Sequence, residues 1–276
     1  MDWSKTKSIF IGIFLILNIF LYSQYIEKYS GAELNALPGE EGIEEKLQRG
    51  NITYEELPQI MEPAVYLTAK VKSYSLENLP STSDKSYKLD SNDELIVTLK
   101  KTVKLPTTEK TEALKEFVNQ HVYEGSSFIL WEVNEETRIA TFFQRVNDRP
   151  LYYNRKGKVK VYWNSSNEVF MYEQAMFEKI EKQEAQNQKK ILPALQILQI
   201  LYNQQLLQTG DHITTMKLGY TNAPQVQLTE RQVFTPTWEV HVETGEEEEE
   251  EELYFVDAIG GTVMEIIPDL QEAVEE

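Results

Sequence analysis

SFILWEVNEETRIATFFQRVNDRPLYYNRKGKVKVYWNSSNEVFMYEQ runs from Ser127 to Gln174. Short segments rich in Val, Ile, Phe, Tyr and Trp recur in it: SFILWEV, TRIATFFQRV, RPLYY, KVKVYW and EVFMYEQ. Asn147-Asp148, Arg155-Lys156-Gly157 and Asn164 to Asn167 separate the later ones, and Asn, Asp and Gly tolerate the backbone angles that tight turns need. Parallel neighbours require a crossover of about a dozen residues or more. These connections are shorter, so the stretch predicts an antiparallel meander.

Upstream, VYLTAKVKSYSL and ELIVTLKKTVKL alternate apolar and polar residues and read as two more strands. Pro106-Thr107-Thr108 then opens a helix. Its Leu114, Phe117, Val118, His121 and Val122 fall on one apolar face, and Gly125 ends it. His121 is expected in the core. Residues 51–184 are thus read as a first α+β lobe.

Downstream, the polar stretch Glu181–Lys190 separates this lobe from a second, residues 185–276. ILPALQILQILYNQQLLQTG predicts a helix with Pro193 in its first turn, Leu195, Leu198 and Tyr202 facing inward, and Gly210 as its stop. HITTMKLGY, TPTWEVHV, LYFVDAIGG and TVMEII then form a second small meander. Asp257 is read as a turn residue before Gly260-Gly261. Glu246–Glu252 is a run of seven glutamates that repel one another, so a solvated hairpin loop is expected there. Trp131-Glu132-Val133 and Trp238-Glu239-Val240 hold similar places in the two lobes, which hints at related modules.

The amino terminus reads MDWSKTKSIFIGIFLILNIFLYSQYIEKYS, and Ile9–Tyr22 carries no charge. Bulky residues follow where a secretion signal would show a small-x-small cleavage site, and without cysteine no lipoprotein processing is possible. Residues 8–26 would span roughly 28 Å at ~1.5 Å per residue, close to a hydrocarbon core of ~30 Å. The stretch is therefore read as an uncleaved transmembrane anchor. Lys5 and Lys7 assign residues 1–7 to the cytoplasm, Tyr22 and Tyr25 suit the far interface, and residues 27–50 form a juxtamembrane linker. The fold class expected is α+β: one transmembrane helix, then an extracytoplasmic ectodomain of two lobes, each an antiparallel sheet packed with helix. Within lipid, Asn18 seeks a hydrogen-bond partner, and Ile11, Phe14, Leu15, Leu21 and Tyr22 share its face. That face is either a binding surface for another membrane helix or an anchor that merely tolerates one amide.

The net charge of −18 disfavours nucleic acid and anionic surfaces. The absence of cysteine rules out disulfides, Cys-ligated zinc, iron–sulfur clusters and thiol catalysis. His121, His212 and His241 are far apart, and no nucleophile elbow, zinc-protease or phosphate-loop motif occurs. Asp90-Ser91-Asn92-Asp93-Glu94 has a calcium-loop rhythm, but Leu95 stands where such a loop needs glycine. No catalytic residue, cofactor or metal is expected.

MDWSKTKSIFIGIFLILNIFLYSQY, FFQRVNDRPLYYN, KLGY at Lys217–Tyr220 and the ending TWEV…YFVDAIGGTV together resemble the YycI family. The ending also resembles PepSY-like modules. The resemblance implies a non-enzymatic, membrane-anchored accessory factor of the WalK/WalR (YycG/YycF) two-component system, which governs cell-wall metabolism in low-GC Gram-positive bacteria. Its implied partners are the sensor histidine kinase and a YycH-like protein, in a hetero-oligomer met through membrane-embedded contacts. Two other readings are an ectodomain that binds a wall component while the helix acts as a tether, and a wall hydrolase acting through an acidic pair.

Overall fold

The computed structural model describes residues 3–30, 42–60, 63, 65–79, 83–90, 94–184, 190–222, 230–245 and 251–264. Residues 31–41 of the linker expected at 27–50, the calcium-like triplet 91–93, residues 185–189, the glutamates 246–250 and the chain after Met264 lie outside them. Two compact units divide the chain after Asn51. The first holds helices α1 (Trp3–Ser30) and α2 (Ile43–Arg49). Among the described residues no helix is long and apolar enough to cross a membrane. The described apolar side chains of α1 run from Phe10 to Tyr22, about 20 Å of helix at ~1.5 Å per residue.

The second unit is mixed α+β. Its elements, in chain order, are β1 (Thr53–Tyr54), β2 (Val65–Val71), β3 (Lys85–Leu89), β4 (Leu95–Lys104), α3 (Lys110–His121), β5 (Phe128–Asn134), β6 (Ile139–Val146), β7 (Arg149–Pro150), β8 (Lys158–Trp163) and β9 (Glu168–Ala175). They continue with β10 (Phe177–Glu184), α4 (Ala194–Asn203), β11 (His212–Thr221), β12 (Arg231–Glu243), β13 (Glu251–Asp257) and β14 (Val263–Met264).

The first sheet has the order β3-β4-β9-β8-β6-β5, with β7 folded back on β6, and every pairing is antiparallel. The meander forms as expected because its turns are locally encoded: Asn147, Asp148 and Asn167 all take positive φ. KVKVYW alternates half-buried and buried along β8, as a strand with one covered face must. The covered face packs Val97, Val159, Val161, Phe142 and Trp163 against Leu114, Phe117 and Val118 of α3. Each such side chain contributes about 1.5–3 kcal/mol when fully buried. His121 sits at the rim, half-buried and stacked on Phe117 with ring centroids 4.8 Å apart.

The second sheet corrects the lobe boundary expected at 184/185. Its backbone is β11-β12-β13-β14, but β1, β2 and β10 from the earlier stretch join it: β2 pairs with both β10 and the start of β12, and β1 runs parallel to β11. Local alternation cannot show which distant strand supplies the partner, so a boundary drawn on chain order fails.

Helix α4 also departs from expectation. Pro193 stands just before its first turn, the buried stripe is Ala194, Ile197, Leu198 and Leu201, and Leu195 and Tyr202 are only half-buried. The helix stops at Asn203 rather than near Gly210, with Gln205 in the left-handed conformation. Leu198 alone of the expected inward residues lies in the stripe. Glu251 and Glu252 belong to strand β13, where they pair with Glu243 and Val242, so the expected loop does not extend through the whole glutamate run. The two Trp-Glu-Val triplets are not equivalent. Trp131 lies on an edge strand, whereas Trp238 is fully buried in a central one and donates Nε1–H to the Leu192 carbonyl at 2.9 Å.

Candidate functional site

The two sheets meet along a seam built from residues 144–154. After the turn at Asn147-Asp148, Leu151 forms a parallel bridge to Tyr220, and the Tyr152 amide donates to the Tyr220 carbonyl at 2.8 Å. The Leu151 amide donates back to the Gln144 carbonyl at 2.7 Å. Leu151 is buried with Leu67, Phe177, Tyr220 and Phe234 of the second sheet. Gly219 is required here. A Cβ on it would fall 2.1 Å from Tyr152 Cε2 and 2.8 Å from the Pro150 carbonyl oxygen, so only glycine lets the tyrosine ring lie on β11. The segments RPLYYN and KLGY, distant in sequence, are thus the two halves of one contact.

Buried polar groups fasten the same seam. Asn154 Nδ2 donates to Asn222 Oδ1 at 3.0 Å and to Gln232 Oε1 at 2.7 Å, while Asn222 Nδ2 donates to Gln232 Oε1 at 2.6 Å. Gln144 Nε2 donates to the Phe177 carbonyl and its Oε1 accepts the Phe177 amide, so a side chain closes the start of β10 as a strand would. Such groups must find partners once removed from water.

Beside them lies a charged cluster under aromatic rings. Glu239 is 1% exposed on β12, and one of its carboxylate oxygens meets His241 Nε2. On the other side of the ring His241 Nδ1 lies 2.6 Å from Glu251 Oε1 on β13. These hydrogen bonds, Glu239 first, hold the imidazole above its ordinary range against the opposing effect of burial. Tyr152 is 1% exposed, and its hydroxyl is pushed well above the usual tyrosine range, first by burial and then by the Glu239 carboxylate beside it. Tyr153 is pushed up to about 12, chiefly by burial. Trp131 caps the group, 5.6 Å from the Tyr152 ring and 6.4 Å from His241 between centroids, with Phe143 and Phe255 closing the sides.

The second surface is α1. From Phe10 to Tyr22 its large apolar side chains are 47–69% exposed, and successive residues point in every direction around the axis. Ile11, Phe14, Leu15, Asn18, Leu21 and Tyr22 all lie on exposed positions of this helix. Asn18 Nδ2 donates to the Phe14 carbonyl at 2.9 Å, so part of its amide is satisfied inside its own helix. A primary amide carries a second N–H and an acceptor oxygen beyond that bond.

His212 lies apart from His241, with Nδ1 2.7 Å from Thr53 Oγ1 and Nε2 3.6 Å from Glu55. Asp257 Oδ1 accepts the amides of Ile259 and Gly260, the turn role read from the sequence. Among the described residues no group of three His, Asp or Glu is arranged to hold a metal ion. The Glu239–His241–Glu251 cluster was not visible in the sequence. The available signal was Glu-x-His on one strand face, but the third member comes from the next strand and depends on register.

A family model described as YycI protein matches residues 34–259, most of the chain and the whole seam. The chain belongs to the YycI family. No curated protein sequence matches this YycI chain. Solved structures of related shape are distant. An uncharacterized protein from Eubacterium rectale is 12% identical, covering 75% of this chain and 86% of that one at a TM-score of 0.41. The Bacillus megaterium YpeB C-terminal domain is 11% identical, covering 72% and 88% at 0.41. YycH from Bacillus subtilis is 13% identical, covering 66% of this chain and 44% of that one at 0.31.

Proposed function

We propose that this YycI chain is a membrane-anchored accessory regulator of a WalK/YycG-type sensor histidine kinase controlling cell-wall metabolism, and that it acts with a YycH-type partner. Residues 1–7 lie in the cytoplasm, 8–26 cross the membrane once, and the ectodomain stands outside it beyond the linker 27–50. The observation that carries the reading is a helix apolar on every side, exposed from Phe10 to Tyr22, in a chain of the YycI family. A helix without a polar face is at home in lipid or among other helices, not in water. The regulator makes no catalytic contribution. It shifts the kinase between signalling states by binding them unequally through Ile11, Phe14, Leu15, Asn18, Leu21 and Tyr22.

Exchanging Leu15→Trp and Asn18→Leu together tests this. Kinase-dependent transcription should change by about fivefold or more at unchanged protein level, the lower range of allosteric coupling. Unchanged output would refute the helix mechanism. An open cleft of about 460 Å³, lined in part by Lys72, Gln144, Arg145, Phe177 and Ile180, favours a second reading, a wall-component binding module on a tether. Replacing α1 with an unrelated anchor separates the two: regulation survives only if the ectodomain carries it.

A further inference from the structure

We propose that His241 is a proton-operated latch across the seam, closing the second sheet onto the Tyr152–Asn154 segment when protonated and releasing it when neutral. Three observations meet at this residue. The imidazole lies between two carboxylates on opposite sides of its ring, Glu239 and Glu251, and only the imidazolium can donate to both. One of them, Glu239, is 1% exposed, so its charge has no access to water as an alternative partner. Glu239 Oε2 and the Tyr152 hydroxyl are both buried without a well-formed hydrogen bond, although the carboxylate acts on that hydroxyl. This part of the contact between the sheets is therefore under-satisfied already, and the charge on His241 is what offsets the buried Glu239 carboxylate within it.

Loss of the proton reverses the interaction. Neutral imidazole has one N–H and one lone pair, so one ring nitrogen must present its lone pair to a carboxylate. If the N–H stays with exposed Glu251, buried Glu239 is left without a donor on that side, and the seam beside Tyr152 opens to let water reach the carboxylate. Glu243 on β12 pairs in register with Glu251, and Glu132 on β5 stands beside Trp131. Opposite these carboxylates stands Lys217, the exposed register partner of Glu239 on β11. Tyr152 and Tyr153 stay neutral throughout, because both are raised.

The sign follows from linkage. His241 is raised in the folded state, so its stabilisation is complete below the ordinary histidine value near 6.5 and is lost as pH rises through the raised one. The seam is latched at mildly acidic pH and loosens toward alkaline pH, at a place in the fold that joins both sheets.

The test uses the full chain in detergent micelles. Histidine NMR titration follows His241 with His121 and His212 as internal references, and hydrogen exchange follows the Tyr152 amide, reported as protection relative to the unstructured peptide. Protection should fall as pH rises through the His241 midpoint, by about tenfold for each unit that the midpoint lies above 6.5. His241→Gln should abolish that dependence. Glu251→Gln, which changes only an exposed side chain, should lower the midpoint and shrink the fall. Protection that does not vary with pH, or that varies equally in His241→Gln, would overturn the latch.

Discussion

The covered face of the first sheet and the seam between the sheets are both buried, and they are held together differently. The first is almost wholly apolar: eighteen side chains from Tyr74 to Met176, none more than 9% exposed, pack around α3. The seam interleaves rings with Asn154, Asn222, Gln232, Thr237 and Glu239, all buried polar groups. An apolar core tolerates exchange of one well-fitting residue for another, since its attraction is non-directional. A buried polar network accepts only arrangements in which each donor meets an acceptor, so it fixes how two sheets sit. Stability is concentrated in the first region and geometrical specification in the second.

Substitutions can break this contrast, beginning with the largest effect. Phe142→Ala removes a fully buried ring from the first core and should destabilise the ectodomain by about 3–5 kcal/mol in denaturant unfolding, while the Tyr152 amide keeps its relative protection. Gly219→Ala drives a methyl into Tyr152 and the Pro150 carbonyl and should cost about 1–3 kcal/mol. Unlike the core variant, it should expose Tyr152 and Trp131, seen as a shift in tryptophan emission. Asn154→Ala leaves Asn222 Oδ1 without its donor and should cost about 1–3 kcal/mol with the same selective loss at the seam. Lys115→Ala removes an exposed pair with Glu112 on α3 and should change stability by no more than about 0.5 kcal/mol.

Titration sharpens the same comparison. His121, at the rim of the first core, is lowered first by burial and then by Lys85. A lowered histidine contributes stability that is present above its ordinary value near 6.5 and lost as pH falls through the lowered one. Acid should therefore weaken the α3 end of the first core, whereas alkali weakens the seam. His121→Asn should flatten only the acid limb of the stability profile, and a flattened alkaline limb would contradict the assignment.

Much of the fold was legible because its signals are local. Asn147, Asp148 and Asn167 announce turns, β8 alternates in period two, and Leu114, Phe117 and Val118 mark the inner face of α3. What was not legible depends on distant partners. The second sheet recruits β2 and β10 across long sequence separations, so the lobes do not follow chain order. In α4 the apolar residues surround much of the helix, and tertiary packing chose Ile197 and Leu201 over Leu195 and Tyr202. The Glu239–His241–Glu251 cluster needs the β12–β13 register to exist at all. The α1 face was legible as an apolar helix with a single amide, but a sequence could not show that Asn18 already bonds the Phe14 carbonyl.

The regulatory account rests on that helix meeting other helices on one side. A photo-crosslinking residue at position 18, compared with one at Ile16 about 160° away around α1, tests it in intact membranes. Capture of the sensor kinase or a YycH-type protein from position 18 and not from position 16 is the predicted result. Equal capture from both positions, or capture from neither, would contradict it.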